Sequence, residues 1–343
     1  MSQANGRAEG SVGFLVIGAG RMGALHARHL AGAVDGAHLV RVVDADAAAA
    51  ARAAYGGAES GTDLAAALAD PRVGAVLIAS PTTLHAEHLE AAARAGKAIF
   101  CEKPVAHELK RTEQALAVVR DAGVPFQIGF NRRYDPGFAE LARTVRAGEM
   151  GRVEMFRSQS SDPTPPPEDY VATSGGIYVD SVIHDIDMAR FVAGEVTRVT
   201  ALGRVLVEPY LEKHGDIDTS ILTLEFESGA IGVLQNTRRT VYGYDLRVEV
   251  HCAQGKLVSE AERATNLWRY GKGGITGDYV YYFLERFRDA YLVEVQAFVA
   301  ALRAGETPTP GPSDALGSLR VALAARESLR RGEPVAVSEL GSA

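Results

Sequence analysis

The sequence has little of what would staple or anchor a chain from outside its own core. It holds two cysteines, Cys101 and Cys252, each inside an apolar strand-like segment, so no disulfide framework is expected and a reducing cytoplasm is the expected compartment. Positive charge is not in excess: Lys+Arg number 36 against 43 Asp+Glu, a net charge of −7, which argues against nucleic acid or an anionic membrane as a partner. No apolar run is long enough to span a bilayer. The first such run, after the polar stretch Met1–Gly10, ends in glycines rather than in a cleavage site. Repeats and low-complexity tracts are missing beyond a general richness in alanine, and Pro163–Pro167 is too short to link domains and reads as a stiff loop. What is there is a 343-residue chain, 47% hydrophobic and 23% charged, the composition of a soluble globular enzyme of about two domains.

From Val12 the sequence reads Val-Gly-Phe-Leu-Val-Ile-Gly-Ala-Gly-Arg-Met-Gly, a buried strand followed by a helix-like segment with Met22, Leu25, His29 and Leu30 at helical spacing. In that setting Gly18, Gly20 and Gly23 form a dinucleotide fingerprint. Gly18 permits the tight turn, Gly20 lets backbone amides approach a pyrophosphate, and Gly23 lets the helix pack close to the strand with its N-terminus toward the negative charge. A second strand, His38–Asp44, ends in a carboxylate suited to the ribose hydroxyls. Ala45, Asp46 and Ala47 follow it with no adjacent Arg or Lys to meet a 2′-phosphate, so NAD is expected over NADP.

Three further apolar runs, Ala75–Ala79, Ala98–Cys101 and Val124–Phe130, alternate with alanine-rich helical stretches and continue a parallel sheet. Each ends in polar residues: Ser80-Pro81-Thr82-Thr83-Leu84-His85, Glu102-Lys103-Pro104 and Asn131-Arg132-Arg133-Tyr134. Because open α/β sheets bind ligands at the carboxyl ends of their strands, these tips should line one crevice. The expected cofactor set is therefore Gly18, Gly20, Arg21, Met22, Gly23, Asp44, Ser80, Pro81, Thr82, His85, Glu102 and Lys103. The ammonium of Lys103 can also polarise a substrate oxygen and stabilise developing alkoxide charge.

Beyond a helix-like segment near Pro136–Gly151 the pattern changes to period two. Leu222, Leu224 and Phe226 alternate with Thr223, Glu225 and Glu227, and Leu246, Val248, Val250 and Cys252 with Arg247, Glu249 and His251. This predicts antiparallel strands with one buried face, turning at Glu227–Gly229 and Ala253–Gly255. Helical stretches near Tyr281–Arg303 and Ser313–Arg331 finish the chain. The stretch Gly175–Asp187 reads as the opening of a helix, which would put Asp180 and His184 four residues apart on one face. A carboxylate there can fix the tautomer of the imidazole and raise its basicity. A metal site of His184, Asp185 and Asp187 is not expected, since adjacent helical residues point about 100° apart and no cysteine or second clustered histidine joins them.

The fingerprint, Glu102-Lys103-Pro104 and the Gly175–Asp185 pattern Gly-Gly-x-x-x-Asp-x-x-x-His-Asp together resemble the Gfo/Idh/MocA oxidoreductase family over nearly the whole chain from Val12. The segments Gly129–Pro136, Asp162–Pro167, Asn236–Val250 and Phe283–Arg286 are similar to its inositol-oxidising members; Ser161 departs from the pattern, where an arginine is expected. The resemblance implies an α/β fold: an N-terminal Rossmann domain with a parallel sheet over residues 1–130, and a C-terminal α+β domain with a largely antiparallel open sheet over 131–343. The second domain is assigned to substrate binding and oligomerisation, with its C-terminal helix free to pack back on the first. The resemblance further implies that Lys103, Asp180 and His184 are catalytic and that substrate hydroxyls meet Arg133, Asp162 and Tyr242 or Tyr244. The implied reaction is NAD-dependent oxidation of a cyclic polyol by a cytoplasmic homotetramer, myo-inositol to an inosose foremost. A pyranose, an aminocyclitol or another inositol regioisomer is the alternative substrate, and a non-catalytic NAD-binding regulator the remote alternative.

Overall fold

The computed structural model describes residues 10–341. The chain forms two compact units. The first comprises the described part of Met1–Phe130 together with Tyr291–Leu316, and the second comprises Asn131–Ala290 and the described part of Gly317–Ala343.

In the first unit, strands β1 (Val12–Ile17), β2 (Ala37–Val43), β3 (Glu59–Gly61), β4 (Ala75–Ile78), β5 (Ala98–Glu102) and β6 (Phe126–Gly129) form one sheet in the order β3-β2-β1-β4-β5-β6. Every neighbouring pair is parallel. Helices α1 (Arg21–Leu30), α2 (Ala47–Ala53), α3 (Leu64–Leu68), α4 (Thr82–Arg94) and α5 (Leu109–Ala122) connect them. The strand order reverses between β1 and β4, which makes the carboxyl ends of those strands the ligand-binding crevice of such a sheet. All of β4 and β5 and nearly all of β1 are buried, as expected for strands covered on both faces. Nothing in the apolar pattern marks β3, because Glu59-Ser-Gly61 is short and polar; it is an edge strand paired only with β2. The buried stripe of α1 is Gly23, His26, Ala27 and Leu30, rotated from the expected one by the close approach of Gly23. A Cβ on Gly23 would lie 1.8 Å from the Gly18 carbonyl oxygen.

The second unit holds helices α6 (Pro136–Arg146), α7 (Glu168–Ser174), α8 (Ile177–Asp180), α9 (Ile183–Ala193), α10 (Tyr210–Lys213) and α11 (Phe283–Arg286). Helix α12 (Arg288–Ala304) leads from this unit into the first, and α13 (Pro312–Arg331) leads back. Strands β7 (Val153–Ser161), β8 (Val196–Arg204), β9 (Thr219–Phe226), β10 (Ile231–Thr237), β11 (Asp245–Cys252) and β12 (Gly255–Ser259) form a sheet that the short β15 (Val335–Ala336) completes, in the order β12-β11-β7-β10-β9-β8-β15. A small hairpin, β13 (Arg269–Gly271) and β14 (Gly274–Thr276), stands apart from it. The large sheet is antiparallel except for the parallel pair β7 and β10. Its buried face follows the expected alternation, with Leu222, Leu224 and Phe226 on β9 and Leu246, Val248 and Val250 on β11. The hairpin turn after β9 needs the left-handed backbone of Gly229, φ 83°. The opposite face leaves Leu202, Ile221 and Ile231 exposed. Among the described residues no helix is long and apolar enough to cross a membrane.

Candidate active site

In the first unit the expected cofactor residues gather at the carboxyl ends of β1, β2, β4 and β5. Gly18 adopts φ 95°, and a Cβ there would strike the backbone of Ala79 and Ser80 at 2.5–2.6 Å. Gly20, the N-cap of α1, differs: a Cβ there meets nothing within 4 Å. It therefore borders open space at a helix N-terminus, where amides of the first turn lack intrahelical acceptors and suit a pyrophosphate. The carboxylate of Asp44 accepts from Ala19 N at 2.6 Å and from Asp46 N at 2.8 Å, so the acid at the end of β2 also braces the glycine turn. These residues fit a dinucleotide.

Two expected cofactor contacts prove to lie beneath the crevice surface. His85 is 2% exposed, with Nδ1 2.8 Å from the Pro104 carbonyl oxygen and Nε2 2.7 Å from that of Ser80. Burial lowers its pKa, so the neutral ring, with one N–H, serves one carbonyl at a time and staples the loop after β4 to the segment after β5. Glu102 is buried as well, its Oε1 2.8 Å from His26 Nε2. Lys103, the next residue, is half-buried.

In the second unit the expected single helix is broken. Asp180 ends α8 and His184 lies in the first turn of α9. Between them Val182 N bonds the Ile177 carbonyl five residues back at 2.9 Å, and His184 N bonds that of Ser181 three residues back at 3.3 Å. A widened turn of this kind re-aims side chains and recurs at functional sites. The start of α8 is fixed by Asp216, whose Oδ1 accepts from Ile177 N at 2.8 Å and whose Oδ2 accepts from the buried Arg238 at 2.7 Å. Asp180 accepts a 2.8 Å hydrogen bond from the Tyr170 hydroxyl. No local periodicity marks Tyr170, ten residues away in a proline-led helix, as a partner.

The segment Asn131–Tyr134 pairs with the start of α9. Arg132 donates to Asp185 at 2.7 Å, and Asp185, without solvent exposure, also accepts from Ser158 at 2.5 Å and Asn236 at 3.2 Å. Arg133 grips Asp187 with two bonds of 2.8 and 2.7 Å. Both aspartates of the metal alternative are thus bound by guanidinium groups. Arg133, expected at the substrate, is turned to Asp187, and it is Arg132 that lies electrostatically close to Asp162. A signal existed for the Asp185 cradle: Ser158, Ser160 and Asn236 sit at inward-facing positions where the alternation calls for apolar residues.

Asp162 draws together several expected residues. Its carboxyl is pushed up to about 6 by burial, with Asp180 and Asp185 adding repulsion and Arg238 and Arg132 opposing it. Tyr244 belongs to the same neighbourhood; it is 4% exposed, packs edge-on to Phe287, and burial pushes its hydroxyl up to about 12. Tyr242 does not join them. Its hydroxyl donates to Asp245 at 2.9 Å, beside Arg247. Two of the family-like segments meet directly, since Asp135 caps α6 and also pairs with the buried Arg286. Ser161, in the place of an arginine, is 2% exposed and sits between Thr237 and Asp245 in the sheet.

Comparison with known proteins covers the same two halves. Residues 12–130 match the family described as oxidoreductase family, NAD-binding Rossmann fold, and residues 138–258 match the GFO/IDH/MocA C-terminal domain. The chain is 40% identical to the myo-inositol 2-dehydrogenase of Thermotoga maritima over 95% of its own length and 98% of that protein. It is also 40% identical to the inositol 2-dehydrogenase of Rhizobium meliloti, over 96% of this chain and 100% of that one. The crystal structure of scyllo-inositol dehydrogenase from Lactobacillus casei, with bound cofactor NAD(H) and scyllo-inositol, matches with a TM-score of 0.89 at 29% identity, covering 96% of this chain and 99% of that one. With both halves matched and its relatives covered nearly end to end, the chain belongs to the Gfo/Idh/MocA family of NAD-dependent oxidoreductases.

Proposed function

We propose that the chain oxidises one secondary alcohol of a cyclic polyol, myo-inositol to an inosose foremost. What carries this reading is the near end-to-end likeness to inositol 2-dehydrogenases in a chain that has Lys103, Asp180 and His184. Another inositol regioisomer is the second reading, favoured by the similarity to a scyllo-inositol enzyme.

The glycine turn at Gly18 and Gly20 and the Asp44 carboxylate would hold NAD, which would supply the acceptor for the carbinol hydride. His184 takes the hydroxyl proton as general base. Asp180, itself held by Tyr170, orients the imidazole and favours its charged form. Lys103 stabilises the alkoxide charge. Asp162 and Tyr244 meet other substrate hydroxyls, whereas Arg133 and Tyr242 serve by holding Asp187 and Asp245. An unpaired polar group is costly inside such a site, so these contacts select the carbon that reacts.

A homotetramer is part of the proposal, supported by the apolar residues Leu202, Ile221 and Ile231 on the outer face of the large sheet. A cytoplasmic location is supported by two buried, unpaired cysteines. Purified enzyme is to be screened with NAD and NADP against myo-inositol, scyllo-inositol, chiro-inositols, glucose and aminocyclitols. The expected result is turnover of an inositol with marked preference for NAD. Intact NAD binding without turnover of any of these would point to the regulator instead, and a monomer in sedimentation at micromolar concentration would remove the tetramer.

A further inference from the structure

A buried polar cluster in the first unit has no part in the chemistry above. His26 of α1, Glu102 of β5 and Glu294 of α12 bring their ring nitrogen and carboxylate oxygens within 4.8 Å of one another. His26 and Glu294 are without solvent exposure and Glu102 is 8% exposed. The Nε2 of His26 lies 2.8 Å from Glu102 Oε1, while His26 Nδ1 and both oxygens of Glu294 have no hydrogen-bond partner. On the other side of Glu102, a Cβ at Gly129 of β6 would lie 3.1 Å from Oε2, so a larger residue there would press on that oxygen. The backbone of Glu294 is itself tied down, since its carbonyl accepts from Gln127 of β6 at 3.2 Å.

These contacts surround the residue that directly precedes Lys103. We propose that His26 and Glu294 are positioning residues which hold the Glu102 carboxylate at the end of β5 and thereby fix the direction of Lys103. The inference rests on the reading of Lys103 as the group that stabilises the alkoxide. It ties the helix that opens at Gly20, on the cofactor side, to the strand tip that carries the ammonium.

Protonation states follow from the partners. A bare Nδ1 means that His26 is neutral and donates from Nε2 to Glu102, because a second ring N–H would be buried without an acceptor. Two partnerless carboxylate oxygens at zero exposure cannot carry a charge cheaply. Burial and the neighbouring Glu102 charge push the Glu294 carboxyl well above the usual carboxylate range. Glu294 is therefore a neutral acid beside the Glu102 carboxylate. Titratable groups beside the cluster include His29, lowered to about 4 chiefly by burial, the neutral His85, and Tyr291, whose ring packs edge-on to that of His26.

The test compares Glu294→Leu, Glu294→Gln and Lys103→Ala in the full-length enzyme, with kcat, KM for each substrate, the pH profile of kcat and NAD affinity measured for each. Glu294→Leu should lower kcat by on the order of 10²-fold, the cost of a reacting group misplaced by about an ångström, with NAD affinity and unfolding temperature near wild type. Glu294→Gln, also neutral and able to donate, should restore most of that loss and leave the pH profile unmoved. An isotope-edited infrared band of a protonated carboxyl should be present in the wild type at neutral pH and absent in Glu294→Gln. Normal turnover by Glu294→Leu beside an inactive Lys103→Ala overturns the positioning role alone. Glu294→Gln as impaired as Glu294→Leu, or a missing infrared band, overturns the neutral acid. Normal turnover by Lys103→Ala instead overturns the assigned role of Lys103, whatever the Glu294 variants do.

Discussion

In the second unit Asp185 and Asp187, both almost wholly buried, each face an arginine from the segment Asn131–Tyr134. In the first, Glu294 is equally inaccessible and neither of its oxygens is bonded to anything. One unit neutralises buried carboxylates with guanidinium groups, which keep charge and direction. The other neutralises with a proton, which keeps only a dipole. The difference suits their neighbours: paired ions lock α9, the helix of His184, in register, whereas beside Glu102 a second anion would repel the charge that positions Lys103. Paired ions are costly to break but not to replace, because removing one partner strands the other. A neutral acid, once removed, leaves no opposite charge behind.

The largest effect expected from this contrast is on stability. Arg132→Met should cost about 3–5 kcal/mol in urea unfolding by leaving Asp185 buried and unpaired, and adding Asp185→Leu should recover most of it. A double variant as unstable as the single one would mean that Ser158 and Asn236 require the charge. Arg133→Lys, which swaps a two-pronged grip on Asp187 for a point charge, should cost about 1.5–3 kcal/mol; an unchanged midpoint would show that Lys reaches both oxygens.

Asp162 lies between the two strategies, with arginines nearby but repulsion and burial prevailing. Its folded pKa, about 6, is above the ordinary value of 3.8, so the folded state binds more protons between these values. Its contribution to stability is thus fully present below about pH 4, falls as pH rises through 6, and is flat above. Asp162→Asn should flatten that decline in pH-dependent unfolding. Should substrate hydroxyls require the carboxylate, KM will also rise in the wild type as pH falls through 6, and loss of that dependence in Asp162→Asn would identify its source. The smallest stability change belongs to Glu294→Leu, within about 1.5 kcal/mol as a nearly volume-conserving swap. A loss as large as that of Arg132→Met would show Glu294 to be ionised and paired, which would erase the contrast.

Features encoded by short-range spacing are legible in the sequence. Gly18, Gly20, Gly23 and Asp44 declare a strand, a turn and a second strand within about thirty residues, the size of one βαβ unit. Leu222, Leu224 and Phe226 declare a half-buried strand by alternation alone. Long-range pairing is not legible. Arg133 could have faced substrate or Asp187, and only the fold, joining positions 54 residues apart, decides. The parallel contact of β7 with β10 is likewise a choice of neighbour that neither strand records. The break at Ser181–Val182 is silent because both residues accept helical backbone angles, and only the hydrogen-bond pattern reveals the extra width. His26 falls outside a helix face drawn through the apolar residues, because the close approach at Gly23 turns a histidine inward.

Phe298 of α12 packs edge-on against Phe14 and Phe100 with ring centroids 6.2 and 5.8 Å apart, and Val295 and Val299 share that core. Those residues leave the ribosome long after β1 and β5 have emerged. A nascent chain therefore carries an unfinished nucleotide-binding core while strands β7 to β12 of the second unit are synthesised, and the second unit in turn waits for β15 to complete its sheet. A fragment stopping at Phe130 has the fingerprint but not the lid of its core, so it is an intermediate of synthesis rather than a separable cofactor module.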